Sequence, residues 1–151
     1  MQSRMDTMLA TNGDAQLILK LYELRTEERM RAARKWVTSD FWPATAQEVI
    51  AVLHAGESEE NAYLRQVTSY WEMAASFVLH GALDADLFLA CNGENLFILA
   101  KFYSFLSEIR KESPYFLART EELVHRFGDA QERLQSMIKK QESRRNQSAK
   151  K

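Results

Sequence analysis

The sequence is poor in the residues that usually build a chemical site. It has one cysteine, three histidines and five glycines in 151 residues. Paired histidines, cysteine clusters, glycine-rich loops and an elbow serine are missing, which argues against a disulfide framework, a cysteine-type metal site and a phosphate-binding glycine loop. No catalytic residue, metal ligand or cofactor is therefore predicted, and the lone Cys91 fits a reducing compartment.

Long apolar runs are also missing. The longest run in the second of two central helices covers residues 96–100 and ends at Lys101, far short of the roughly 18 to 20 residues that a bilayer requires. Near the amino terminus, the apolar cluster 8–10 is too short for a signal peptide. With 46% hydrophobic and 27% charged residues, we expect one cytoplasmic domain over residues 1–138, with 1–13 flexible.

Two segments, around 63–79 and 96–109, are apolar around almost their whole circumference. Each has one narrow polar stripe when residues are placed 100° apart. Because neighbours must bury both sides of such helices, the pattern predicts an all-α, single-domain bundle of five to seven helices with these two at its centre. The stripes are Arg65, Ser69, Glu72 and Ser76 in the first segment, and Lys101, Ser104, Glu108 and Lys111 in the second.

Capping residues divide the rest of the chain into further helices. The apolar face rotates near Thr26, which predicts a helix break there with Thr26 as the cap of the second helix. A capping box at 45–48 begins another helix, and Ser58 and Asp84 begin two more.

The segment 116–138 has the cleanest periodicity. Its apolar seam continues in phase through Gly128, so we predict one long helix through that glycine, at a cost of about 1 kcal/mol. Arg119, Arg126, Arg133 and Lys140 recur every seven residues beside the seam, as either a solvated face or a surface for an acidic helix. The seam, with alternating spacings of four and three, is Phe116, Thr120, Leu123, Phe127, Ala130, Leu134 and Met137.

The net charge of −1 conceals an asymmetry. Residues 139–151 contain six basic residues and one acid, which is +5, so the preceding 138 residues carry −6. A basic, frayed or disordered tail is the simpler interpretation of residues 139–151. Nucleic-acid binding through this tail is unfavoured, because it has no aromatic residue to stack on bases.

Glu72 is the most conspicuous ionisable residue, because it lies in the middle of an otherwise apolar helix, where an unpaired charge is costly to bury. It either faces solvent or pairs with a cation such as Lys101 or an arginine. Alternatively, Glu72 lines a small polar pocket between the two central helices, together with Arg65, Ser69, Lys101 and Ser104. The Glu122 and His125 spacing is that of half a di-metal site, but no second pair exists.

The connector 39–44 brings Phe41 and Trp42 next to a proline. They either plug one end of the core or, if exposed with Trp36, form a patch suited to self-association. The candidate interaction surface therefore comprises these three aromatic residues and the carboxyl-terminal seam and ridge. Those last residues are Arg119, Arg126, Arg133 and Leu134.

Three short motifs, LYELR at 21–25, YWEM at 70–73 and GALD at 81–84, resemble a bacterial family known only as a domain of unknown function. The resemblance covers residues 17–127, and some members of that family have an amino-terminal membrane helix. It implies a small all-helical bacterial domain and supplies no catalytic residues, substrate or cofactor.

Together these patterns favour a non-enzymatic interaction or regulatory module whose partner is a second copy or another protein. A small-ligand-binding domain or enzyme at the Glu72 stripe is the alternative. Association with nucleic acid through the tail is the third possibility.

Overall fold

The computed structural model describes residues 9–150, and in that part of the chain all regular structure is helical. A π-helical turn, Trp36–Asp40, directly follows the helix Glu28–Lys35, and a 3₁₀ turn, Tyr103–Phe105, separates the helices Glu94–Phe102 and Leu106–Glu112. The helices outnumber the predicted five to seven, because two segments predicted as continuous are interrupted. They are α1 Asn12–Arg25, α2 Glu28–Lys35, α3 Ala46–His54, α4 Glu59–Leu79, α5 Ala85–Cys91, α6 Glu94–Phe102, α7 Leu106–Glu112, α8 Ala118–Arg126 and α9 Gly128–Ala149.

Several predicted helix starts are confirmed. The side chains of Thr45, Ser58 and Asp84 each accept a hydrogen bond from the backbone N–H three residues further along. The first turn of each helix would otherwise have unsatisfied N–H groups.

The predicted break between α1 and α2 is confirmed, but its predicted cap is wrong. Thr26 ends α1, where its N–H donates to the Glu23 carbonyl. The carboxylate of Glu27 caps α2 instead and accepts hydrogen bonds from the N–H groups of Arg29 and Met30, both at 3.0 Å. A carboxylate performs this role well because it also complements the positive end of the helix dipole.

The helices α4 and α6 contribute much of the core. Leu64, Val67 and Trp71 of α4 and Leu99 of α6 have almost no exposed surface. One residue departs from the expectation that neighbours cover both sides of α4, because the side chain of Met73 is 40% exposed.

A half-buried ion pair joins α6 to α2. The Arg34 guanidinium donates Nε and Nη2 to the Glu94 carboxylate, with the shortest distance 2.6 Å. The Trp71 indole N–H donates to the same carboxylate at 3.2 Å. This hydrogen-bonded pairing raises the pKa of Arg34 above its ordinary value, and it joins α2, α4 and α6 through one polar junction.

The predicted long helix through Gly128 is wrong. The chain is extended at Phe127, which separates α8 from α9, and α9 begins at Gly128. The seam is nevertheless buried or half-buried along its length: Ala130 is 1% and Leu134 0% exposed. Because α8 and α9 both direct their seam residues toward the core, these residues stay buried or half-buried although the helix is interrupted at Phe127.

The predicted boundary at residue 138 falls inside α9, which remains helical through Ala149. Its last turns pack on α6: the Gln141 side chain donates to the Phe97 carbonyl at 3.0 Å, and Arg145 donates to the Lys101 carbonyl at 2.7 Å. Residues 139–149 therefore form part of the folded structure. None of the helices within residues 9–150 has the length and apolar character needed to cross a bilayer.

Candidate functional site

The Glu72 carboxylate caps the amino-terminal end of α8. It accepts hydrogen bonds from the backbone N–H groups of Arg119 at 2.9 Å and Thr120 at 2.7 Å, and from the Thr120 hydroxyl at 2.7 Å. α8 needs this contact because Leu117, the residue at its own N-cap position, makes no side-chain capping bond. Glu72 thus supplies both the acceptor and the negative charge that a helix start favours.

Leu117 is in the left-handed conformation, with a φ of 53°. This region is unfavourable for a residue with a branched side chain. The buried Leu117 side chain, 1% exposed, and the Glu72 cap on the next residues hold the turn in place.

A cavity of about 600 Å³ lies beside Glu72. Arg65 and Ser69 also line it, so the structure brings together three of the five residues predicted for a polar pocket. The Ser69 hydroxyl donates to the Arg65 carbonyl on its own helix at 2.6 Å, and Tyr115 at the rim is 82% exposed. Both oxygens of Glu72 are already occupied by α8, which makes this carboxylate a helix cap.

Lys101 and Ser104 lie elsewhere. Ser104 is exposed in the 3₁₀ turn, whereas Lys101 is fully buried. The predicted stripe therefore breaks at its first member, because the carbonyl groups of the π-helical turn draw the Lys101 ammonium inward.

The Lys101 ammonium caps the carboxyl end of that turn. It donates hydrogen bonds to the carbonyl oxygens of Val37, of Thr38 at 3.2 Å and of Phe41 at 2.8 Å. A cation at the carboxyl end of a helix satisfies carbonyl groups that have no partner within the helix. Burial, reinforced by the positive charges of Arg145 and Arg144, lowers the pKa of Lys101 to about 7.

Trp42 lies against this ammonium, with 3.8 Å between Nζ and the ring centroid. The guanidinium carbon of Arg144 is 4.8 Å from the same centroid. The indole N–H donates to the Ser39 carbonyl at 3.0 Å, which fixes the ring. We refer to Lys101, Trp42, Arg144 and Arg145 as the Lys101 cluster. The two arginines belong to the segment 139–151, which was predicted to be a basic, frayed or disordered tail.

The sequence does contain a pattern that predicts the packing of Arg145 on the rest of the domain. Leu134, Ile138, Gln141 and Arg145 follow spacings of four, three and four, so they continue one face of α9 beyond the apolar seam. Gln141 and Arg145 both bond to backbone carbonyls of α6. A polar continuation of an apolar face indicates that a helix still packs on its neighbour, using hydrogen bonds instead of apolar contacts.

The aromatic residues predicted for an interaction patch are half-buried. Trp36 stacks on Phe41 with ring centroids 4.5 Å apart, and Trp42 packs edge-on against Phe97 at 6.2 Å. Phe41 also contacts Phe102 at 6.2 Å. These contacts plug one end of the core instead of forming a single exposed patch.

The predicted carboxyl-terminal surface is also engaged within the chain. Arg119 and Arg126 both pair with Glu122, and Arg133 donates to the carbonyl groups of Leu89 and Asn92 at the end of α5. Leu134 has no exposed surface.

Exposed apolar side chains are concentrated on α1 instead. Leu19 and Tyr22 are 66% and 57% exposed, and Leu24 at the end of the helix is 44% exposed. The opposite face of α1 packs on the core through Leu21, which is 4% exposed. This exposed face of α1 is not among the interaction surfaces that the sequence predicted.

Residues 10–127 match the family model described as "Domain of unknown function (DUF4760)". The chain belongs to this family, which confirms the predicted membership in a domain family of unknown function. No curated protein and no solved structure matches the chain. Within residues 9–150, no group of three histidine, cysteine, aspartate or glutamate side chains is arranged to hold a metal ion.

Proposed function

We propose that this chain is a non-enzymatic interaction module that self-associates through one face of α1. This face, the α1 stripe, comprises Ala15, Leu19, Tyr22 and Thr26. The observation that carries the proposal is the exposure of its two large apolar side chains, Leu19 and Tyr22. A helix that packs one face on its own core and presents a second apolar face to solvent is typical of a partner-binding helix.

Spacings of four, three and four place the stripe residues on one side of α1. The spacing is also that of a helix-pairing seam, in which side chains of two helices interdigitate. Leu19 and Tyr22 supply the bulk, while Ala15 and Thr26 at the two ends allow the helices to approach closely.

Charge complementarity on the flank of the α1 stripe favours a second copy of the chain as the partner. Lys20 and Glu23 lie on the same flank of the stripe, are 63% and 71% exposed and approach to 3.7 Å within one chain. In an antiparallel helix pair, the same flank of each helix meets its counterpart, so Lys20 of one copy comes beside Glu23 of the other. An isologous dimer about a two-fold axis satisfies both pairs at once.

The Glu72 site supports an interaction role over an enzymatic one. All three hydrogen bonds to its carboxylate come from α8. A general acid or base needs at least one oxygen that can reach a substrate, so the geometry favours a structural role for Glu72.

Sedimentation velocity over a concentration series tests the proposal. The wild-type chain is compared with the double variant Leu19→Ser/Tyr22→Ser and with a matched control, Leu24→Ser. Leu24 is also exposed on α1 but lies about 140° around the helix from Leu19. All three substitutions remove exposed apolar surface, so the fold is retained and only the position differs.

We expect a concentration-dependent dimer for the wild type and for Leu24→Ser, and a monomer for the double variant over the same range. A wild-type monomer at the highest concentration would refute the proposal. Equal dimerisation of the double variant would refute it as well, since the dimer would then use another surface.

A further inference from the structure

The Lys101 cluster concentrates positive charge at one end of the domain. Its three cations come from two elements, α6 and the last turns of α9. Arg145 donates to the backbone carbonyl of Lys101 at 2.7 Å, and both Lys101 and Arg144 lie over the Trp42 ring. The three positive charges are thus held close together by direct contacts.

This charge is not balanced locally. Among the described residues, none of the three cations forms an ion pair with a carboxylate. Asp40 is near Lys101 but pairs with Lys35 at 3.7 Å, and Glu142 near Arg145 is exposed. Clustered like charges without counter-charges raise the free energy of the fold unless an anion joins them.

A cavity of about 590 Å³ opens beside the two arginines. Ser39, Asn146 and Ser148 contribute polar groups to its wall, and Trp42 and Pro43 contribute apolar surface. Its volume is within the range of small-molecule sites, which are about 300–1,000 Å³. A wall that combines polar donors with apolar surface suits a ligand with an anionic group and a short carbon skeleton.

We propose that this cavity binds the phosphate group of a small soluble molecule, with Arg144 and Arg145 as its principal partners. Guanidinium groups bind phosphate through paired, charge-assisted hydrogen bonds. A phosphate dianion matches the two charges of Arg144 and Arg145, whereas a carboxylate neutralises only one of them. The negative end of the α9 dipole opposes the anion with only about half a unit of charge, less than the cluster supplies.

Titration followed by the Trp42 indole N–H signal in ¹H–¹⁵N NMR tests this proposal. The probes are inorganic phosphate and pyrophosphate, with sodium chloride at matched ionic strength as the reference. Arg144→Gln is compared with Lys140→Gln, because both replace an exposed cation of α9 and only Arg144 contacts Trp42. Circular dichroism verifies that both variants retain the fold.

We expect saturable shifts of the Trp42 signal with phosphate or pyrophosphate, and binding weakened by about tenfold or more in Arg144→Gln but unchanged in Lys140→Gln. The bound anion also raises the pKa of Lys101, which NMR of its side chain measures independently.

Equal weakening in the two variants would overturn the proposal, since it would indicate general electrostatic attraction. Shifts identical to those with chloride would overturn it too. A further arm uses phosphatidic acid vesicles with phosphatidylcholine vesicles as the control. Binding to the anionic vesicles without any response to soluble phosphate compounds would reject a soluble ligand in favour of a lipid headgroup.

Discussion

Glu72 lies inside α4 and Lys101 lies in the last turn of α6, and each of these charged side chains caps a helical segment that is not its own. The anion of α4 receives N–H groups from the start of α8. The cation of α6 donates to carbonyl groups at the end of the π-helical turn. Each charge therefore has the sign that complements the helix end it meets.

The two sites differ in what surrounds the charge. The Glu72 carboxylate accepts its three hydrogen bonds from Arg119 and Thr120 at the start of α8. None of these three bonds comes from a charged side chain. Lys101 is satisfied by carbonyl groups but has two arginines beside it, which help to lower its pKa to about 7. The comparison indicates a structural role for the half-buried Glu72, whose charge is matched by a helix end. The arginines beside Lys101 form no ion pair with a carboxylate among the described residues and are the basis of the proposed anion site.

The largest expected effect is at Lys101. In Lys101→Met, one buried and two partly buried hydrogen bonds to carbonyl groups are lost, and an unsatisfied buried polar group costs about 1–3 kcal/mol. We expect the free energy of unfolding to fall by about 3 kcal/mol in urea denaturation, because the lost hydrogen bonds outweigh the burial cost of the ammonium that the variant escapes. The exposed Lys111→Met, on α7, serves as the control and should change it by less than about 0.5 kcal/mol. A similar small change in both variants would mean that Lys101 is not a helix cap.

A smaller loss is expected for Glu72→Gln. The amide keeps one acceptor oxygen but presents an NH₂ group to the N–H groups of α8 and removes the favourable charge. We expect a destabilisation of about 2 kcal/mol, measured in the same way. The control is Glu108→Gln, an exposed position on the second stripe. A more stable Glu72→Gln variant would show instead that the charge is held at an energetic cost, as at a binding site.

The smallest effect is in the pH dependence. The pKa of Lys101 is about 7 in the folded chain and 10.5 without the fold, so the unfolded state binds more protons between these values. The cost of burying the charged ammonium is fully present below pH 7 and is relieved as pH rises. The stability of the wild type relative to Lys101→Met should therefore increase by about 1 kcal/mol from pH 7 to pH 8. A flat or opposite dependence would contradict the assigned pKa shift.

The sequence predicted much of the fold because helix caps and apolar periodicity are local signals. Thr45, Ser58 and Asp84 begin helices as expected. The break at Phe127 was not predictable in the same way, because the apolar phase runs unchanged across it. Register alone does not distinguish a continuous helix from two helices that share a buried side.

The candidate site was predicted only in part. Arg65, Ser69 and Glu72 line one cavity, as their positions on one stripe of α4 require. Lys101 could not be assigned, because its partners are backbone carbonyl groups 60 to 64 residues away in sequence. Backbone carbonyl groups cannot be recognised from the pattern of side chains. The same holds for Glu72, whose partner is the start of a helix that lacks a cap of its own.

The break at Phe127 coincides with the end of the family match, residues 10–127. Yet Ala130 and Leu134 beyond it are core residues, and Arg145 bonds to α6. A fragment cut at the limit of the match would lose these contacts and uncover the apolar side of α6. The limit of the family match thus falls inside the packed core, and we expect shortened versions of this domain to need α9 for their stability.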